Sequence, residues 1–414
     1  MPGTGATLLT VVIGGGAAGI AAARTLHDAG REVLLVEASD RLGGRARSLA
    51  FPELGAIVDL GCGWLHSAGR NPWTRIAEAS SFTVDRSPPK WDEQWRDLGF
   101  SRHEQEEYGA AWDRFKLAAR AAQGGPDRPL SDFVAGNDPW RPLMDAISGY
   151  LNGAPLSRSS LHDWAAYEDV ATEDNWTVRE GYGTLVASHA AGMPVRLNTP
   201  VARVDRRGRT IRLETAAGVI EADRVIVAVP TPALADGALA FDLPLPEKQA
   251  AAADLPLGLA DKVFLAVDRP EWPANEHLIG NPRSAGAASY RLSPYGLPVI
   301  EAFFGGDNAE ALTDRDAAAF AIDELAALLG SGWRDRLRPL AATRWRRDPF
   351  IGGSYSHARI GRAGQRTALA EPVEDRIFFA GEACSRQDFS TAHGAYATGV
   401  AAAEAVISGS AASR

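Results

Sequence analysis

Gly14, Gly16 and Gly19 stand at the spacing Gly-x-Gly-x-x-Gly, and a carboxylate, Glu37, follows 18 residues after the last of them. That set suits phosphate and ribose chemistry. Gly14 permits a tight turn, Gly16 lets a pyrophosphate approach the backbone, and Gly19 lets a helix pack closely on a strand. The helix that follows brings unpaired N–H groups and the positive end of its dipole to the phosphates, and Ala18, just ahead of it, is among the residues expected to hold the cofactor. Glu37 is placed to accept both hydroxyls of an adenosine ribose, and its charge disfavours a 2′-phosphate.

Position depends on the elements around these residues. The β-rich run from Thr10 ends at Gly14. An alanine-rich helix spans Ile20 to Ala29, and a second strand, Val33 to Val36, delivers Glu37. Strand, helix, strand and acid together specify a dinucleotide-binding βαβ unit rather than a bare glycine turn. Arg41-Leu-Gly-Gly-Arg45 follows at once. Gly43 and Gly44 allow a second close backbone approach, and Arg45 offers a guanidinium fork to the pyrophosphate. Asp59-Leu-Gly-Cys-Gly-Trp-Leu-His66 comes next, with Gly61, Gly63 and Trp64 ahead of the histidine.

With these blocks on the page, the chain resembles the FAD-dependent amine oxidases, a family that includes monoamine oxidases, polyamine oxidases and flavin histone demethylases. The segment Gly61 to His66 is most similar to the polyamine oxidases. Further matching blocks are Val195-Arg-Leu-Asn-Thr-Pro-Val201, Asp261-Lys262-Val-Phe-Leu, Trp345-x-x-Asp348-Pro-Phe-x-Gly-Gly-Ser-Tyr355, and Phe379-Ala-Gly381-Glu382 through His393-Gly-Ala. The resemblance implies noncovalent FAD: Ser354 occupies the position where monoamine oxidases carry the cysteine that bonds to flavin. It implies that Gly61, Gly63 and Trp64 help hold the cofactor and that Val201 meets adenine through its backbone. Gly381 and Glu382 meet the ribityl chain, while Thr391 and Ala392 offer N–H groups to the flavin pyrimidine edge. There a helix N-terminus stabilises the charge of reduced flavin.

The same resemblance assigns the chemistry. Lys262, which in isolation reads as a lysine snorkelling from a strand edge, becomes the ammonium that assists reaction of reduced flavin with dioxygen. Trp345 and Tyr355 match aromatic positions lining the site, Tyr355 being one wall of an amine-aligning cage. The other wall falls on Thr391, so the cage is at most half aromatic. His66 is expected to face the substrate amine or to be a structural histidine, on even terms. Glu168, Asp169, Glu173 and Asp174, before Trp176, border the expected substrate entrance.

Composition bounds the rest. A chain of 414 residues with 43 basic and 52 acidic side chains has a net charge of −9, which argues against a nucleic-acid scaffold. Two cysteines, Cys62 and Cys384, imply neither a disulfide framework nor a metal centre. The first arginine is Arg24, so the apolar start reads as a strand and not a leader. No apolar run approaches the roughly 20 residues that span a bilayer, and the chain closes on Ser-Gly-Ser-Ala-Ala-Ser-Arg414 without a membrane anchor. A cytoplasmic protein of open oligomeric state is expected, with a small amine as substrate and O2 as acceptor.

The expected fold is mixed α/β: a Rossmann-type FAD-binding domain from residues 1–80, 177–251 and 348–414, and a sheet-and-helix substrate domain from 81–176 and 252–347. In the second, Ser101-x-x-Glu104 predicts a capping box ahead of a helix bearing Tyr108, Trp112 and Phe115. A strand is predicted over Lys262 to Val267 and a helix over Asp314 to Leu329. In the first, Arg376 to Ala380 is a buried strand and His393 to Val406 a helix. The function expected is oxidation of a polyamine, alkylamine or arylalkylamine by hydride transfer to flavin, the imine then hydrolysing to an aldehyde, with H2O2 as the second product. Three alternatives stay open: a desaturase or protoporphyrinogen-oxidase-like enzyme, an amino acid oxidase using Arg179 or Arg291 as a carboxylate clamp, and a silent flavin-binding module.

Overall fold

The computed structural model describes residues 8–313 and 315–412. Its first sheet is parallel throughout and reads Ile377–Phe379, Arg224–Val227, Thr10–Ile13, Val33–Val36, Val195–Arg196. Thr10–Ile13 is buried at every position and bonded on both sides, which suits its β-branched run. The chain order reverses beside this strand, and such a switch point leaves a crevice at the strand ends. Gly14 to Gly19 sit at that end.

The helix after the glycines spans Ala17–Asp28, three residues earlier than predicted, because Gly16 is its N-cap and Gly19 lies within its first turn. It packs on Ala392–Ala412, the helix predicted from His393. The two backbones are so close that a Cβ on Gly399 would fall 2.1 Å from the Ala18 carbonyl oxygen. A second sheet, Gly218–Ala222, Ile211–Thr215, Val201–Asp205 and Ala240–Asp242, flanks the nucleotide side.

The third sheet is antiparallel, in the order Glu276–Ile279, Ser289–Leu292, Val299–Gly305, Ala260–Val267, Leu337–Ala342. Its two faces differ. Val263, Leu265, Tyr290, Ile300 and Ala302 share an apolar core with Ala321 and Leu325 of the helix Ala317–Leu329. That helix starts at Asp316, whose carboxylate accepts from the N–H groups of Ala318 and Ala319; the predicted first residue, Asp314, lies outside the described residues. Residues directly opposite in an antiparallel pair share a face, so the register Lys262↔Phe303, Phe264↔Glu301, Arg291↔Glu301 and His277↔Arg291 gathers those side chains on the other face. Residues 56–64 cover it: Phe264 packs with Ala56, Val58 and Leu60, and Arg291 with Trp64.

The capping box forms as predicted, and its helix spans Arg102–Ala122, with Phe115 buried and Tyr108 and Trp112 partly buried beside it.

Candidate active site

Two glycine loops lie side by side. Gly14 N–H donates to the Val36 carbonyl at 2.8 Å and Gly43 N–H to that of Gly15 at 2.8 Å, and Gly16 and Gly43 form a parallel bridge. A Cβ on Gly44 would sit 3.3 Å from the Gly16 Cα, whereas one on Gly16 would meet no protein atom within 4 Å. The helix Ala17–Asp28 has no side-chain cap, so its first N–H groups, Ala18 included, are left for an outside acceptor. Glu37 is buried; one carboxylate oxygen accepts from Gly15 N–H at 2.6 Å and the other from Ser39 N–H and Oγ, both at 2.8 Å. Thr199 N–H donates to the Glu37 carbonyl at 2.8 Å, which ties the start of the Val201 strand to the same end of the cradle. An uncapped helix over open glycine backbone, with a pinned carboxylate beyond it, fits FAD.

At the far end the expected partners meet each other. Arg45 Nη1 donates to Glu382 at 2.8 Å and to the Ser354 carbonyl at 2.6 Å. Its Nε and Nη2 have no protein acceptor among the described residues, so one edge of the fork is spent and the other is not. Glu382 also accepts from Ser356 N–H and Oγ and from Ser390 N–H. Burial alone would raise its pKa, but Arg45, Arg366 and these donors hold it below the usual carboxylate range. Arg366, fully buried, forks onto Asp163 at 2.7 and 2.8 Å. Gly381, at φ +147, precedes this knot and exchanges hydrogen bonds with Thr398 Oγ. A Cβ on Gly61 would lie 1.6 Å from the Arg45 carbonyl oxygen, which explains the glycine there.

Lys262 is buried on the central strand of the antiparallel sheet. Its Nζ donates to the Asp59 carbonyl at 3.0 Å, pairs with Glu301 at 2.6 Å and lies 5.8 Å from the Phe303 ring centroid. A Cβ on Gly63 would come 3.4 Å from that nitrogen. The strand thus carries its ammonium to the segment 59–63. Beside it opens a small cavity, partly open to solvent, with Trp64, Trp91, Phe303, Glu301 and Arg291 in its wall. Trp64 and Trp91 meet edge to face at 4.9 Å.

The remaining predicted residues are placed less uniformly. His66 is tilted against Trp91 at 6.2 Å, and its Nδ1 is 2.6 Å from Asn175 Oδ1. Burial pushes its pKa down to about 4, against the opposing Asn175 bond, so it is neutral at pH 7. Tyr355 lies outside that cavity wall, and its hydroxyl donates to the Tyr150 carbonyl. Thr391 Oγ accepts from Gly394 N–H at 3.0 Å and donates to the Asp388 carbonyl at 2.6 Å, so it fastens the start of the last helix. The Ala392 carbonyl accepts from Trp73 Nε1. Trp345 departs from expectation: it is packed in the apolar core on the sheet face opposite Lys262. Asp261 accounts for this, because alternation turns its carboxylate away from Lys262, where it accepts from Trp345 N–H at 3.2 Å and Thr343 Oγ at 2.6 Å. The acids of 168–174 are largely engaged: Arg120 pairs with Glu168 and Asp169, and Asp174 accepts from Gly69 N–H. Glu301, Trp91 and Arg366 carried no motif, and Arg291 entered only as an alternative carboxylate clamp; only the alternation of strands 276–305 could have grouped Glu301 with Arg291.

Comparison with known proteins gives the family. The flavin containing amine oxidoreductase profile matches residues 17–407. The chain belongs to that family and is an FAD-dependent amine oxidase. It is 30% identical to polyamine oxidase 2 of Arabidopsis thaliana, over 95% of this chain and 87% of that protein. It is 27% identical to lysine-specific histone demethylase 2 of Homo sapiens, over 94% of this chain and 52% of that protein. A solved structure of putrescine oxidase bound to putrescine superposes with a TM-score of 0.76 at 21% identity, over 97% of this chain and 99% of the other.

Proposed function

We propose that the chain oxidises alkyl or arylalkyl amines with dioxygen as acceptor and hydrogen peroxide as product. The observation that carries this reading is Lys262: a buried ammonium delivered to the glycine-rich segment 59–63 at the head of an aromatic-walled cavity. Bound FAD would supply the two-electron acceptor for the hydride equivalent on the carbon beside the amine nitrogen and the means of returning those electrons to dioxygen. Lys262 stabilises the negative charge that develops on oxygen, the more effectively for being desolvated. The neutral imidazole of His66 accepts a hydrogen bond from the amine, and Trp64 and Trp91 exclude water and orient the carbon chain. Tyr355, tied through its hydroxyl to the Tyr150 carbonyl outside the cavity wall, and Thr391 complete the surroundings of the flavin end. At the cofactor, the glycine loops and Ala18 N–H hold the pyrophosphate with the unspent edge of Arg45. Glu37 holds the ribose, Val201 the adenine, and Gly381, Glu382, Thr391 and Ala392 the flavin end. FAD is held without a covalent bond.

The division of labour follows the sheets. The parallel sheet draws its strands from 1–80, 177–251 and 348–414, read as the FAD-binding domain, and the lysine sheet from 252–347, read with 81–176 as the substrate domain. Among the described residues no helix is long and apolar enough to cross a membrane. Cys62 and Cys384 are free thiols, which supports a reducing, cytoplasmic setting that cell fractionation tests.

The functional test is a peroxide-coupled screen of the holoenzyme against polyamines, putrescine, alkylamines and arylalkylamines, with Lys262→Met in parallel. Peroxide from one amine class, with oxidation of the reduced flavin slowed in Lys262→Met, supports the reading. Bound flavin that no amine bleaches under anaerobic conditions refutes it in favour of a desaturase or a silent binder.

A further inference from the structure

The charges of the cavity beside Lys262 pair off with one exception. Lys90 Nζ lies 2.5 Å from Glu276 and 3.7 Å from Glu93. Lys262 takes Glu301 at 2.6 Å. His277, also in the wall, is pushed down to about 4 by burial and is neutral at pH 7. Arg291 has no carboxylate oxygen within 4.0 Å among the described residues. Its Nη2 donates to a neutral acceptor, Asn275 Oδ1, at 2.6 Å. Its guanidinium carbon stands 4.9 Å from the Trp64 ring centroid and 4.9 Å from that of Tyr295. Glu301, its cross-strand neighbour, is already committed to Lys262. The guanidinium thus packs against both rings and is tethered by neutral acceptors, Asn275 and the Tyr295 side chain, with donors left over and no carboxylate paired to it among the described residues. A planar fork of this kind matches a carboxylate in two parallel hydrogen bonds.

We propose that Arg291 is an anion subsite and that the preferred substrate is an aminocarboxylate, with an amine at one end and a carboxylate at the other. This rests on the amine-oxidase reading above, with the reacting end at Lys262. Lys262 and Arg291 lie two strands apart in the sheet and two residues apart along it, since Arg291 and Glu301 are in register with Phe264, which puts their Cα atoms about 12 Å apart at ordinary strand geometry. An ω-amino acid spans that gap, its methylenes lying along Trp64, Trp91 and Phe303. A diamine of the same length would set an ammonium against the guanidinium, a like-charge contact that selects against it.

Two measurements on the holoenzyme test this. Hexanoate, which carries the carboxylate but no amine, is titrated against oxidised enzyme by its perturbation of the flavin spectrum. The Kd is expected to rise about tenfold or more in Arg291→Gln, the size of one lost charge-assisted hydrogen bond. Then kcat/KM is compared for 6-aminohexanoate, hexylamine and 1,6-diaminohexane. Wild type should prefer 6-aminohexanoate. The ratio of 6-aminohexanoate to hexylamine should collapse about tenfold in Arg291→Gln and partly recover in Arg291→Lys, which restores charge without the fork. Taking a ratio removes any general loss of folded enzyme. Equal hexanoate binding in wild type and Arg291→Gln, or a wild-type preference for 1,6-diaminohexane, overturns the proposal. If none of the three amines bleaches the flavin, the amine-oxidase reading fails instead, while the hexanoate titration still decides the role of Arg291.

Discussion

Acid should destabilise this protein through buried neutral histidines, and His277→Gln should remove about one proton's worth of that sensitivity. Burial pushes His66, His277 and His357 each from 6.5 down to about 4. The sign follows from linkage: an unfolded chain protonates these imidazoles below 6.5, while the folded chain holds them neutral until about 4. The unfolded state therefore binds more protons in that window, and stability falls as pH falls. The contribution is fully present above 6.5 and gone by about 4. A shift of 6.5 to about 4 corresponds to about 3 kcal/mol for His277 alone, a large part of the 5–15 kcal/mol typical of a folded domain. Asp59 and Asp261, whose carboxyls burial pushes upward, act with the opposite sign. The difference between variant and wild type is therefore the quantity to read. His277 bonds Ser289 Oγ at 2.9 Å and the Glu93 carbonyl at 3.1 Å, so His277→Gln begins about 1–2 kcal/mol less stable at pH 7. Urea midpoints of the two holoenzymes between pH 7 and pH 4.5 should then converge by about 1.4 kcal/mol per pH unit in mid-window. A gap that stays constant across that range refutes the reasoning.

Two further outcomes concern the cofactor. In Gly19→Ala the new Cβ would fall 1.8 Å from the Gly14 carbonyl oxygen. Helix and strand must separate, and FAD affinity should weaken by about tenfold or more, read as flavin absorbance per purified chain. The Ser354 hydroxyl is tied to both N–H and carbonyl of Ala260 and offers no thiol, so acid precipitation should leave the flavin in the supernatant; a yellow pellet would show a covalent link elsewhere.

The cradle was legible because its requirements are local. Gly14, Gly16, Gly19 and Glu37 belong to one strand–helix–strand unit, and each is needed for a backbone distance or a charge set within that unit. Lys262 was legible only through a family block; its own neighbourhood in the chain is an unremarkable buried strand. Trp345 was misplaced by the same route. A motif position says that an aromatic belongs there, but not which sheet face the residue joins, and here the alternation around Asp261 decides for the core.

The charges of the cavity wall show where such reading stops. Lys262, Glu301, Arg291 and His277 come from four strands, and no pair of them is closer than ten residues in the chain. Register alone makes them neighbours, and a slip of one residue in any strand would turn its member into the apolar core. That core is a reason for the register to hold: Val263, Leu265, Tyr290, Ile300 and Ala302 must all face the helix Ala317–Leu329 together. Burying the hydrophobic half of the alternation thus fixes the polar half on the face toward residues 56–64. The forces that order the charged cluster act on the other side of the sheet. Substitutions such as Leu265→Ala or Ile300→Ala, though they touch neither cofactor nor substrate, should therefore disturb the Lys262–Glu301 pair as well as stability.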